Sequence, residues 1–220
     1  MKSAGETPPN TIRDKTRGGQ LDLRINQNAV RYRIDTMAQT PQNSVGEQYH
    51  LSSYRLTDVD DAFRFLSNPA VTKYLRRVPS PFTRQDAEDY YYALQQEAQS
   101  NPLRERLNFT VRNNTTDRIV GGIRLEPDGT GEGWELGYWL AEEYWGQGIA
   151  TWACKEMLQV ARREGIKKVC AWPRQENGAS QRVLEKNGFK HVRDEQQYYP
   201  VANEMCNVAI FESDLENEDD

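Results

Sequence analysis

The stretch that decides the fold is Tyr138-Trp139-Leu140-Ala141-Glu142-Glu143-Tyr144-Trp145-Gly146-Gln147-Gly148-Ile149-Ala150-Thr151. It begins as an apolar strand, turns through Gly146 and Gly148, and opens directly into a long amphipathic helix. Two glycines one residue apart at a strand-to-helix turn let the backbone approach a ligand closely, while successive N–H groups point out along the positive end of the helix dipole. Such a turn is an anion cradle, and a pyrophosphate is its natural occupant because the N–H groups of a first helical turn have no intrahelical partners. On the loop alone, a plain structural turn ahead of a core helix reads the same way.

Two familiar phosphate loops do not fit. A dinucleotide fingerprint needs a third glycine, and a Walker loop needs Gly-Lys followed by Ser or Thr, whereas Gly148 is followed by Ile149. What remains, Trp145-Gly146-Gln147-Gly148-Ile149-Ala150, resembles the Arg/Gln-x-x-Gly-x-Gly/Ala turn of the GNAT family of acyltransferases, with one departure. Trp145 stands where many members carry Arg or Gln, and an indole supplies no charge. A second segment strengthens the first. Asn177-Gly178-Ala179-Ser180-Gln181-Arg182-Val183-Leu184-Glu185-Lys186-Asn187-Gly188-Phe189 is similar to the Asn-x-x-Ser…Glu-x-x-Gly-Phe segment of the RimJ/RimL-like branch, and so is the opening at Leu51 to Ala62 and Ser67 to Leu75. The resemblance covers about Tyr49 to Phe211.

The resemblance implies an α/β fold with a mixed sheet whose two central strands splay apart, and acetyl-CoA as cosubstrate. Trp145, Gly146, Gln147, Gly148, Ile149 and Ala150 would hold the pyrophosphate, though with Trp145 only the backbone cradle is secure. The backbone of Tyr138 and Leu140 would bond the pantetheine arm, Asn177 would touch it, and Ser180 would lie near the thiol. The acceptor implied is a primary amine, of a protein N-terminus or of a small molecule. A rival from another class is a domain that binds acyl-CoA as a sensor without turnover.

Acyl transfer to an amine needs the amine neutral, and an alkyl amine near pKa 10 is mostly protonated at pH 7, whereas an α-amine near 8 needs less help. Glu135, on the strand beside the thioester and between Trp134 and Leu136, is the candidate base, since desolvation there would raise its pKa. The same residue also reads as a solvent-facing strand position or an ion-pair partner. A backbone N–H between Glu135 and Leu140 would meet the oxyanion, and Ser180 would protonate the leaving thiolate, with Tyr198 or Tyr199 in reserve. No enzyme nucleophile is required.

Composition narrows the rest. A net charge of −5 over 220 residues argues against a nucleic-acid grip. Cys154, Cys170 and Cys206 are widely spaced and read as buried free thiols, and two histidines, His50 and His191, leave little material for a metal site or a triad. No apolar run suits a bilayer and no signal-peptide core is apparent, so no membrane partner is expected and the cytoplasm, or the nucleus, is the expected place.

The domain is expected over 49–211. Residues 1–48 read as an extension, polar and disordered to about residue 20, with a possible hairpin at 20–35 that would pair with the main sheet, pair with a second copy or hang as a loosely attached arm, giving a monomer or a homodimer. Met37 offers a second start. Residues 212–220 read as an acidic disordered tail. Within the domain, Tyr49 to Leu56 reads as a strand and Thr57 as the cap of a helix stopped by Asn68-Pro69. Thr83 caps a second helix, whose tyrosines Tyr90 to Tyr92 read as core and surface filling. Leu107 to Val111 and Ile119 to Leu125 read as a hairpin with a bulge or close approach at Gly121-Gly122. The helix after the loop buries Ala150, Cys154, Met157, Leu158 and Ala161 and ends at Gly165. Lys168 to Trp172 reads as a parallel strand. Ala179, Val183 and Leu184 are expected to face the core, and Lys190 to Tyr199 and Asn207 to Phe211 to close the sheet.

Overall fold

Period-two alternation from Leu107 to Leu140 gives three consecutive antiparallel strands, and these form the middle of a seven-stranded mixed sheet in the computed structural model, which describes residues 44–100, 107–131 and 133–215. The expected hairpin at 20–35, with the polar stretches around it, and residues 216–220 lie outside the described residues. In chain order the elements are α1 (Val45–Gln48), β1 (Tyr49–Ser52), α2 (Val59–Leu66), α3 (Pro69–Thr72), α4 (Arg84–Ser100), β2 (Leu107–Asn113), β3 (Ile119–Pro127), β4 (Trp134–Leu140), α5 (Ile149–Arg163), β5 (Lys168–Ala171), α6 (Gly178–Lys186), β6 (Lys190–Tyr199) and β7 (Glu204–Asp214). The sheet order is β1-β2-β3-β4-β5-β7-β6. Neighbours are antiparallel except β4 and β5, which run parallel across the α5 connection.

The two faces of the sheet differ. Leu107, Phe109 and Val111 of β2 and Leu136 and Leu140 of β4 bury against Ile149, Cys154, Met157, Leu158 and Ala161 of α5, with Leu184 of α6 completing the core. The opposite face packs Trp139 and Ile119 against Val59, Ala62 and Leu66 of α2 and Ala87 and Tyr91 of α4. That second face also buries polar groups, among them Ser52, Thr110, Arg112, Glu126 and Glu135. Gly121 and Gly122 mark a close approach and a bulge. Val111 pairs with Gly121 and Arg112 with Ile119, so Val120 is the extra residue. A Cβ on Gly121 would lie 2.3 Å from the Trp139 carbonyl oxygen, which no side chain could accept.

β4 and β5 pair only at Trp134 with Val169 and Glu135 with Cys170, and β4 then runs on to Leu140 without β5 beside it. The expected splay is therefore present. Gly165, at φ 72°, ends α5, and Ile166 N–H reaches back 3.0 Å to the Ala161 carbonyl.

Several expectations need correction. β1 stops at Ser52 rather than Leu56, and Thr57 is not the helix cap. A 3₁₀ turn at Leu56–Asp58 leads into α2, and it is Asp58 whose carboxylate accepts the Arg55 N–H at 2.9 Å. Asn68-Pro69 does end α2, but it also starts α3, with Asn68 Oδ1 accepting from Ala70 N–H. A short helix, α1, occupies the end of the expected extension, and the Glu47 carboxylate accepts the Ser44 N–H at 3.2 Å. The last strand is longer than expected: β7 continues to Asp214, and Leu215 is buried with its N–H on the Lys167 carbonyl, so residues 212–215 belong to the domain rather than to a tail. Ala150 is only half-buried, and Ala179 is exposed, since that side of α6 turns to a cleft. Thr83 caps α4 as expected, in a reciprocal bond with Asp86.

Asp58 also holds the most buried cation among the described residues. Arg112, 1% exposed, donates to Asp58 at 2.7 Å, to Ser52 Oγ at 3.0 Å and to the Asp117 carbonyl at 2.6 Å. Removing one member of such a pair strands a charge without water, which is far more costly than never having had the pair. Asp58→Ala should lower stability by about 3–5 kcal/mol in a urea titration. A loss below about 1 kcal/mol would mean that the network contributes no more than a surface pair.

Candidate active site

Where β5 leaves β4, a cleft of about 1140 Å³ opens through the molecule. One end is lined by the turn after β4 and the first turns of α5 and α6. The other is lined by the segment between α3 and α4 and by the polar face of β3 and β4.

At the first end, Gly146 and Gly148 sit at φ 73° and 78°, the left-handed region that an L side chain occupies only at a cost of about 1–2 kcal/mol. Gly148 is the residue before the first turn of α5 and, with Gly146 and Gln147, is exposed, so the turn presents backbone to the cleft. Trp145 does something its residue type alone did not suggest. Its indole Nε1 donates to the Leu140 carbonyl at 2.9 Å and ties the turn to the strand end. The Gln147 side chain bonds the Glu143 carbonyl and does not line the cleft, unlike Trp145, Gly146, Gly148, Ile149 and Ala150.

The edge of β4 that faces the gap carries the backbone of Tyr138 and Leu140. Ala141 N–H bonds Val120 on β3, and in an extended strand successive residues present their N–H and C=O to opposite sides, so Leu140 and Tyr138 present theirs toward the departed β5. An extended ligand chain laid in the gap would find a strand edge there. Asn177 caps α6, its Oδ1 accepting Ser180 N–H at 3.1 Å, and it lines the cleft as well, so the cap and a ligand contact are compatible.

Ser180 and Tyr138 meet in the middle. Their hydroxyls lie 2.8 Å apart, and the Tyr138 hydroxyl is also 3.2 Å from the Ser180 carbonyl. Burial, with Cys154 adding to it, pushes the Tyr138 phenol well above its ordinary range against the opposing bond from Ser180, so it stays protonated. Of the reserve tyrosines, Tyr199 is buried and lines the cleft, whereas Tyr198 is 51% exposed and bonds Asn203 away from it. Burial raises all three cysteine thiols, Cys170 to about 12 with Asp128, Glu135 and Glu212 adding to the effect, so none supplies a ready thiolate.

At the second end, Glu135 is 8% exposed and is an ion-pair partner. Arg76 Nη2 lies 2.6 Å from its Oε2, and Arg77 Nη2 is 3.7 Å from the same oxygen. Directly across the ladder stands Glu126, bonded by Arg77 and, at 3.0 Å, by Arg124. The Arg76 guanidinium lies 4.8 Å above the Trp172 ring. Sequence reading missed this cluster, because nothing local marks Arg76, Arg77, Arg124 and Glu126. Only the register that sets Glu126 against Glu135 brings them together.

A family model described as an acetyltransferase (GNAT) domain matches residues 49–190. Over 170 residues the chain is 25% identical to an uncharacterized N-acetyltransferase, p20, of Bacillus licheniformis, spanning 75% of this chain and 92% of that one. Among solved structures it is similar to a GNAT-family acetyltransferase from Bacillus anthracis, with a TM-score of 0.65 at 20% identity over 77% of this chain and 96% of the other. A spermidine N-acetyltransferase from Vibrio cholerae, in complex with CoA and spermine, gives 0.63 at 16% identity over 77% and 96%. RimL, a ribosomal L7/L12 alpha-N-protein acetyltransferase in complex with coenzyme A, gives 0.62 at 16% over 76% and 94%. At these identities the structural likeness is one of fold.

The indole bond is open to test. Trp145→Phe keeps the ring and removes the donor to Leu140, and stability should fall by about 1 kcal/mol in chemical denaturation. An unchanged midpoint would show that the turn is held without it.

Proposed function

The chain belongs to the GNAT family of acetyltransferases, and from that premise we propose that it moves an acetyl group from acetyl-CoA directly to a primary amine of a protein N-terminus or a small molecule. The observation that carries this reading is the parting of β4 from β5 with the two-glycine turn at its end. A pyrophosphate suits the turn, and a pantetheine arm suits the free edge at Tyr138 and Leu140. The neighbours solved with CoA, one acting on spermidine and one on a ribosomal protein N-terminus, span the acceptor classes proposed.

Acetyl-CoA, as substrate, brings a thioester that an amine attacks at the carbonyl carbon; a C–N bond forms and the C–S bond breaks. Gly146 and Gly148 keep backbone N–H groups clear for the phosphates, and Asn177 orders the turn beside the arm. Backbone N–H groups on the free edge of β4 face the place where the oxyanion develops. Ser180 gives its proton to the departing thiolate, oriented by the Tyr138 hydroxyl bonded to it, and is reprotonated through solvent, the proton released by the amine closing the balance. Glu135 takes the amine proton. Both of its guanidinium contacts fall on Oε2, so Oε1 is the receiving atom. Direct transfer is consistent with three thiols that burial keeps protonated.

Mass spectrometry of acetyl transfer to a panel of free-N-terminus peptides, polyamines, aminoglycosides and amino acids tests the reading. Ser180→Ala should lower kcat by about 10²-fold, Glu135→Gln by a comparable factor and Tyr138→Phe by about 10-fold, each with acetyl-CoA affinity retained. Loss of acetyl-CoA affinity in step with kcat would instead make these residues structural. Binding of acetyl-CoA with no transfer to any acceptor would favour a sensor.

A further inference from the structure

Resting on the acetyl-transfer reading, we infer that the acceptor bears an anionic group, a carboxylate or phosphoryl group, close to its amine, and that Arg77 and Arg124 read it. Glu126 and Glu135 are exact cross-strand partners on β3 and β4, 5% and 8% exposed. Two like charges so placed repel, and the repulsion is relieved only by cations. Arg76, Arg77 and Arg124 supply them, three guanidinium groups to two carboxylates, which leaves the floor of the acceptor end with one positive charge over.

The three arginines are not equally committed. Arg76, with 18% of its side chain exposed, is held by Glu135 and by the Trp172 face. Arg77 and Arg124, at 47% and 26%, line the cleft, and each guanidinium carries five N–H donors of which the carboxylates use only a part. Such forks match the paired oxygens of a carboxylate or phosphoryl group. A group for the amine stands beside them. Asn108, directly opposite Arg124 on β2, lines the cleft with its side-chain oxygen buried and without a hydrogen-bond partner among the described residues, an acceptor for an amine N–H.

Asp86, Asp89 and Lys73 also line the cleft and bring its summed charge there to about zero, so the selectivity rests on where the guanidinium donors stand: Asp86 already accepts from the Thr83 N–H and hydroxyl and Asp89 from Gln85, and neither has a bond to Arg77 or Arg124 among the described residues. Glu176, Arg182 and Lys186 flank the opposite, α6 end. A polyamine's second ammonium would have to reach Asp86 or Asp89, since both floor carboxylates are already bonded by arginines. An α-amine near pKa 8 is roughly a tenth neutral at pH 7, so it demands less of a base that shares its carboxylate with Arg76.

The test compares kcat/KM for peptides that differ only at the second residue, Asp, phosphoserine, Asn or Lys, alongside aspartate, asparagine and spermidine, with acetyl-CoA affinity measured in parallel. Acidic acceptors should be preferred over their neutral counterparts by about 10-fold or more at low salt, and the preference should shrink as salt is added. Arg77→Ala should remove most of it through KM, with acetyl-CoA affinity unchanged. Preference among peptides alone, or among small molecules alone, supports the inference and names the source of the anion. Equal rates for all charges, or a preference for Lys or spermidine, overturns the inference and leaves acetyl transfer standing. Failure to bind acetyl-CoA overturns both. If Arg77→Ala does not fold, the salt dependence of the wild-type preference decides: a salt-insensitive preference overturns the inference.

Discussion

Beyond Glu135 the edge of β4 has no strand beside it, and a strand edge without a partner leaves backbone donors and acceptors that must be met by something else. Much of the site follows from that one break. At its far end the Leu140 carbonyl is met by the Trp145 indole, which draws the chain back on itself and sets the turn that starts α5. The same break makes the cleft, because β5 and the chain after it swing away and carry α6 to the other wall. Asn177 and Ser180 thereby come opposite Tyr138, residues some forty positions apart in sequence. The parting of two strands thus provides the groove, its backbone edge and the hydroxyl pair together.

The sheet divides the labour between its faces. The α5 face is mostly apolar core, each buried aliphatic side chain contributing about 1.5–3 kcal/mol, and its polar exception is the Tyr138 hydroxyl that meets Ser180. The other face mixes aromatic packing with charges that would be costly if unpaired, and each is paired. Arg112 with Asp58 closes one end, and Arg76, Arg77 and Arg124 with Glu126 and Glu135 close the other. The first network has no access to the cleft and acts on stability. The second opens into the cleft, so the guanidinium donors that its carboxylates leave unused face that space.

What was legible in the chain follows from how local each signal is. The two-glycine turn, the period-two strands, the caps at Thr83 and Asn177 and the parallel return of β5 are properties of short windows or of element order, and each is present. Gly121 and Gly122 could be marked as a close approach, though that Trp139 is what approaches depends on register. Thr57 was misread because it falls inside a 3₁₀ turn, Leu56–Asp58, that precedes α2, and the Asp58 carboxylate at the end of that turn is held by Arg112 some fifty positions away. Residues 212–215 were misread because an acidic composition hides a strand whose Leu215 finds a buried place beside Ile166 and Lys167. The arginine cluster was illegible for the same reason. Arg76 and Arg77 lie in an irregular segment, and only the pairing of β3 with β4 gives them carboxylates to hold.

Trp145 shows how a departure from a family pattern can be absorbed. An Arg or Gln at that position would offer a side-chain donor to a phosphate; the indole directs its single donor to the Leu140 carbonyl instead. Two consequences follow for the proposed cosubstrate. The phosphates would rest on backbone N–H groups at Gly146 to Ile149 and the α5 dipole, a grip less sensitive to the loss of any one side chain. On β4, Leu140 would have its N–H left to offer with its carbonyl already engaged, so Tyr138 would become the principal backbone acceptor for the arm. The residue whose phenol orients Ser180 would then also hold the thiol end in place, so that positioning of the thioester and of its proton donor converge on Tyr138.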